Sequence, residues 1–268
     1  MKHAILFLVD GMRPDALQQA HTPFMDKLIA SGASTLTART VMPSITLPCI
    51  TSLFMSTPPQ EHGMTSNIWN PDNVGTGLMD VVGRAGGKAA SFYNWEQLRD
   101  LSRPGALHTG IYLNNCHEPE GAGDAELAQV AVEMLNDKPV DFAFIYLGYT
   151  DAAGHDHGWM TDPYLQAIEN ADICIRKVVD SLRNGSADDW LVAITSDHGG
   201  HETHHGTDMD VDMTTPIILH GDPAITPGTT LTGPVSIIDI APTITRWLGL
   251  PAPSDWRGQA ISYTAGKD

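Results

Sequence analysis

The chain has 268 residues, 42% hydrophobic and 18% charged, a balance that can fill a full core and that excludes the disordered and fibrous classes. A formal net charge of −17 with 15 Lys and Arg leaves too little basic surface for a nucleic-acid partner. Three cysteines, Cys49, Cys116 and Cys174, lack CxxC spacing, so neither a disulfide framework nor a zinc ribbon is expected, and all three are read as buried small side chains.

The first apolar run, 4–9, meets Asp10, Gly11 and Arg13 too early for a leader peptide or membrane span and predicts a buried strand. Apolar positions recur at about 3.6-residue spacing over 22–31, which predicts a helix. The run 50–55 reads as another, with Pro48 in its first turn. Between 63 and 121, Gly, Pro and Asn are scattered without a period, and this stretch is expected to form a substrate-facing excursion from the sheet. Beyond it, 122–135, 163–182 and 236–248 carry helical periodicity. The runs 142–147 and 190–195 are apolar throughout, as central parallel strands covered on both faces are. The tail after Ser262 is short and polar and reads as a frayed end.

No stretch offers the roughly 20 apolar residues of a membrane helix, so a cytoplasmic protein without a membrane partner is expected. The alternation of strand and helix predicts one doubly wound α/β domain over 1–268, with a mostly parallel sheet flanked by helices and no large cap domain.

Ligands of open α/β sheets bind at the carboxyl ends of strands, and each predicted strand here ends in a polar cluster. Asp10-Gly11 follows the first, Thr150-Asp151 the second, and Ser196-Asp197-His198-Gly199-Gly200 the third. Asp151 and His155, four apart, share a face if the segment is helical and could chelate one ion. Asp197 and His198 stand side by side on a strand-to-loop turn, where two glycines permit close approach, and His205 follows in the same loop, with His204 as its rival. Carboxylate oxygen with imidazole nitrogen suits Zn²⁺, with Mn²⁺ or Fe²⁺ as alternatives. Thr46 sits at a predicted helix N-terminus, where free N–H groups suit a phosphoryl oxygen. It is a candidate nucleophile, or alternatively an N-cap, as is Ser44. No Ser-His-Asp order supplies it with a base, which leaves metal coordination as the activating device.

The segments Val9-Asp10-Gly11-Met12-Arg13, Met42-Pro43-Ser44-Ile45-Thr46-Leu47-Pro48, Glu61-His62-Gly63, Thr150-Asp151-Ala152-Ala153-Gly154-His155, Ser196-Asp197-His198-Gly199 and His205-Gly206 together resemble the alkaline phosphatase superfamily, in its nucleotide pyrophosphatase/phosphodiesterase branch (type I phosphodiesterase). The resemblance implies two divalent metal ions. One would be held by Asp151, His155 and His205, the other by Asp10, Asp197 and His198 with Thr46 completing its shell. It further implies attack by Thr46 on a small-molecule phosphoryl ester, possibly a nucleotide, through a covalent phospho-threonine intermediate, with Asn67 donating to a non-bridging oxygen. The chain departs from the branch at Leu47-Pro48-Cys49, where Phe and then Asn are usual.

A phosphonoacetate-type hydrolase or a phosphomonoesterase of the same superfamily stays open. The formylglycine enzymes do not fit, for no Cys-x-Pro-x-Arg occurs. A metal-stabilised binding module is the non-enzyme alternative. Trp69, Phe92, Tyr93 and Trp95 could line a cleft or pack in the core.

Overall fold

The computed structural model describes residues 2–70, 72, 75–182 and 190–263, so the tail expected to fray after Ser262 lies, from 264 on, outside the described residues. Eight strands form one sheet: β1 (His3–Val9), β2 (Ala33–Arg39), β3 (Ala89–Tyr93), β4 (Thr109–Tyr112), β5 (Phe142–Leu147), β6 (Trp190–Thr195), β7 (Thr214–His220) and β8 (Thr229–Thr230). Their spatial order is β4-β3-β5-β1-β6-β7-β2-β8. All neighbours run parallel except β6 with β7 and β7 with β2.

The side chains of β1 show why the sheet is covered twice. Ala4, Leu6 and Leu8 point into one apolar layer and Ile5, Phe7 and Val9 into another, every one of them buried. Alternation of direction with no polar residue on either side requires a helical layer over each face. One layer draws on the helices Thr46–Met55, Leu78–Arg84 and Ile240–Leu248, the other on Pro23–Ser31, Ala122–Asp137 and Asp162–Leu182. The doubly wound α/β architecture expected from the sequence is therefore present.

The three predicted strands are β1, β5 and β6, adjacent at the centre of the sheet. The five predicted helices also form, with ends shifted by a few residues at most; within 236–248 the first turn, Ile237–Asp239, is 3₁₀ and the α-helix begins at Ile240. The stretch 63–121 supplies the helix Leu78–Arg84 and the strands β3 and β4 that extend one side of the sheet, while its Asn67, Trp95, Cys116 and His117 reach a cleft at the strand ends. Cys49, Cys116 and Cys174 are free thiols, all buried. No helix among the described residues is long and apolar enough to cross a membrane.

Candidate active site

β5, β1 and β6 deliver their carboxyl ends side by side. Asp10 follows β1 directly and donates its N–H to Leu147 O at 3.0 Å, so its backbone continues the pairing for one residue. Asp197 follows β6, and its Oδ1 accepts the Gly11 N–H at 3.2 Å. After β5 the chain turns into the helix Tyr149–His157, which places Asp151 and His155 one turn apart with His155 Nε2 3.4 Å from Asp151 Oδ2. The buried Asp124 carboxylate steadies that helix by accepting the N–H groups of Gly148 and Tyr149 and the Asn94 amide.

Close approach is obligatory here. Gly11 has φ +65°, and a Cβ on it would lie 3.2 Å from Asp151 Oδ1. At Gly200 a Cβ would fall 2.2 Å from the Trp159 ring, which no L side chain tolerates.

Two groups of ligand type emerge. Asp10, Asp197 and His198 bring one donor atom each within 4.8 Å of one another, and Asp151, His198 and His205 do the same. His155 joins the second group through Asp151, and its ring lies 5.1 Å from that of His205. His205, not His204, faces the cleft: His205 Nε2 is 3.6 Å from Asp151 Oδ1, whereas His204 is exposed and packs edge-on to His201.

The three histidines share one orientation. Nδ1–H of His155 donates to Thr203 O at 2.8 Å, that of His198 to Gly199 O at 2.8 Å, and that of His205 to Ser44 O at 2.9 Å. A carbonyl can only accept, so the neutral tautomer is fixed with the proton on Nδ1 and a free lone pair on each Nε2, aimed inward.

The carboxylates carry the complementary signature. Asp10 Oδ1, Asp151 Oδ1 and Asp197 Oδ2 are buried with no hydrogen-bond partner. Orphaned anionic oxygens of this kind are costly unless a cation meets them. Burial first, then the charges of Asp197 and Asp151, hold the Asp10 carboxyl well above the usual range; burial pushes Asp151 up to about 7 and Asp197 up to about 6. Burial holds His198 down to about 4 and His205 down to about 3. Without counter-charge the cluster resists both carboxylate and imidazolium charge. The donor chemistry and the orphaned oxygens fit a bound divalent pair.

Thr46 opens the helix Thr46–Met55 and does not cap it; its hydroxyl lies 3.0 Å from His198 Nε2 and donates to it. Ser44 is no cap either and donates to Thr207 O. Asn67 Oδ1 accepts the Leu47 N–H at 2.9 Å, which fixes the amide with its NH₂ available to the cleft. The cleft, about 210 Å³, is lined by Asp10, Thr46, Asn67, Asp151, His155 and His205 among others, and among the described residues no Lys or Arg lines it. Arg13 is engaged with Asp15 and Gly200 O, and Arg39 with Asp210.

The chain's sequence follows the pattern of the type I phosphodiesterase / nucleotide pyrophosphatase family over residues 4–222, most of its length. It belongs to that family. Over 142 residues it is 30% identical to the 2,3-bisphosphoglycerate-independent phosphoglycerate mutase of Staphylococcus aureus, covering 51% of this chain but 26% of that protein. The chain thus spans about a quarter of the length of the curated relatives it matches. In structure it is similar to murine ectonucleotide pyrophosphatase / phosphodiesterase 5, solved in inactive form in complex with AMP, at TM-score 0.79 and 14% identity over 98% of both chains. It is also similar to a phosphonate monoester hydrolase from Silicibacter pomeroyi, at TM-score 0.75 and 17% identity over 100% of this chain and 78% of that one. At such identities the likeness shows the fold, which this chain shares with both.

The motifs did not include several side chains that shape the site. Tyr146, next to last in β5, donates its phenol hydrogen to Asp10 Oδ2. Trp159 donates Nε1–H to Gly11 O at 3.0 Å and packs edge-on to His155 and His205. A polar-tipped aromatic in an otherwise apolar strand, and a Trp between glycine-rich ligand segments, were the available signals, since such residues need a partner when buried. Among the aromatics named as cleft candidates, Trp95 lines the cleft, while Phe92 and Tyr93 are core and Trp69 packs against it.

Proposed function

We propose that this chain is a two-metal-dependent phosphodiesterase of the nucleotide pyrophosphatase type that works through a covalent phospho-threonine intermediate on Thr46. The observation that carries the reading is the set of orphaned carboxylate oxygens on Asp10, Asp151 and Asp197 facing three inward Nε2 atoms beside a threonine hydroxyl. Asp10, Asp197, His198 and Thr46 would hold one ion, and Asp151, His155 and His205 the other, with Zn²⁺ the first choice and Mn²⁺ or Fe²⁺ alternatives. When bound, the pair supplies Lewis-acid stabilisation of phosphoryl charge and lowers the pKa of a coordinated hydroxyl.

The chain's own groups set the rest. Thr46 Oγ1 gives up its proton to solvent and bonds to phosphorus as the ester oxygen departs with its electron pair and takes a proton from solvent; water then adds to phosphorus and breaks the Thr46–phosphorus bond, its hydrogen restoring the Thr46 hydroxyl. The Asn67 NH₂, anchored through Oδ1 on Leu47 N–H, donates to a non-bridging oxygen. Thr46 Oγ1 lies 3.0 Å from His198 Nε2 and lines the cleft, so the nucleophile stands beside the residues that would hold the ion.

A diester monoanion matches a cleft lined by no Lys or Arg among the described residues better than a monoester dianion, whose extra charge calls for a further cation. The AMP held by the murine neighbour is a nucleoside monophosphate, the kind of product that cleavage of a nucleotide diester leaves. The test is hydrolysis of bis-p-nitrophenyl phosphate beside p-nitrophenyl phosphate. Wild type should prefer the diester, and Thr46→Ala should lose turnover by ~10³-fold or more while keeping its metal content. Activity retained in Thr46→Ala refutes the nucleophile, and indifference to a strong chelator refutes the metals.

A further inference from the structure

Asp10 and Asp197 obey one pattern. Asp197 has Oδ1 occupied by the Gly11 N–H, while its Oδ2 is orphaned 3.3 Å from His198 Nε2. Asp10 has Oδ2 occupied by the Tyr146 phenol, while its Oδ1 is orphaned 3.4 Å from the same nitrogen. In each carboxylate one oxygen is held by a donor and the other is left for a cation. For Asp197 the donor is backbone and comes with the fold. For Asp10 it is a single side chain.

We infer that Tyr146 is a positioning residue for the Asp10 carboxylate, holding Oδ2 so that Oδ1 alone is presented to the metal; the inference rests on the metal-site reading proposed above. The terminal torsion of an aspartate is broad, so without a donor the two oxygens exchange places freely. Tyr146 itself is well fixed. It pairs in register with Leu8 of β1, two residues before Asp10, and is buried at 3% exposure. The Trp95 ring lies over its ring at 6.4 Å and 25°. Both aromatics line the cleft wall. Second-layer donors of this kind typically change metal affinity 10–100-fold when removed.

The test is zinc titration of the metal-free protein against a chromophoric chelator. Wild type should show two bound ions. Tyr146→Phe keeps the ring and its stack but removes the donor, and should weaken one site by ~10–100-fold while leaving the other within twofold. On an Asp10→Ala background the same change should have no further effect. Equal weakening of both sites, or of neither, overturns the positioning role, because a merely structural defect does not choose between them. A wild type that binds no zinc instead overturns the metal reading itself, and the inference with it. Should Tyr146→Phe fail to fold, Trp95→Leu frees the ring yet keeps the hydroxyl: selective loss at the same site by a smaller factor supports the role, and unchanged affinity there overturns it.

Discussion

The two halves of the site are built differently. Asp10, Asp197 and His198 stand at or just beyond strand ends with side chains 2%, 0% and 0% exposed. Asp151, His155 and His205 come from a helix and a long loop, with side chains 17%, 43% and 9% exposed. The difference teaches where rigidity and exchange are divided. The first half lies in the packed centre of the sheet, where unmet carboxylate charge is most costly and a cation is most needed. The second is more open to solvent, where an ion, if held as proposed, would be the easier of the two to replace.

The largest expected effect comes from damaging the buried half. Asp197→Ala removes an orphaned oxygen and the Gly11 contact together, and kcat/KM on a diester should fall by on the order of 10³-fold, equivalent to several kcal/mol of transition-state stabilisation. His155→Ala in the open half should cost roughly 10–100-fold and be partly recovered by added metal, because mass action can refill a weakened site. Equal losses, with no metal rescue of either, would break the comparison.

A smaller effect sharpens it. Stopped-flow removal of metal by a chelator should proceed in two phases, the faster belonging to the Asp151/His155/His205 half, and His155→Ala should accelerate only that phase. A single phase that both variants accelerate alike would mean that exposure does not govern exchange.

The smallest prediction lies outside both halves and serves as their control. His62 is buried; its Nδ1 accepts the Met64 N–H at 3.1 Å, so Nε2–H donates to Ser52 Oγ at 2.7 Å. Burial lowers its pKa from 6.5 to about 4. The depressed value means that the native state favours neutral His62, so its contribution is fully present above pH 6.5 and is lost as pH falls toward 4. Thermal melting across that range should therefore show a steeper acid loss in wild type than in His62→Gln. Identical slopes would remove His62 from the account.

Much of this was legible in the sequence because the signals were local. Apolar runs bounded by Asp10, Asp151 and Asp197 marked the three central strands, and the four-residue spacing of Asp151 and His155 marked a helical turn. What escaped depends on distant contacts. β7, polar at its margins and antiparallel to both neighbours, and β2, polar along its length and antiparallel to β7, lack an uninterrupted apolar signature. β3 and β4 lie in a Gly- and Pro-rich stretch and are strands because β5 offers an edge to β3, and β3 in turn to β4. Tyr146 and Trp159 gain their roles from partners 136 and 148 residues away, Asp10 and Gly11. That His205 faces the cleft and His204 does not likewise depends on the loop's path, which Asp212 sets by accepting from His201 and Thr207.

The central claim, a covalent role for Thr46 inside a metal-bearing cleft, is tested most directly by quenching the enzyme in acid during turnover of a slow diester and locating any adduct by peptide mass spectrometry. The account predicts a phosphoryl ester on the peptide that carries Thr46, formed at the rate of the first product burst and absent in Thr46→Ala. An adduct on another residue, or turnover with a burst and no adduct on Thr46, would contradict it.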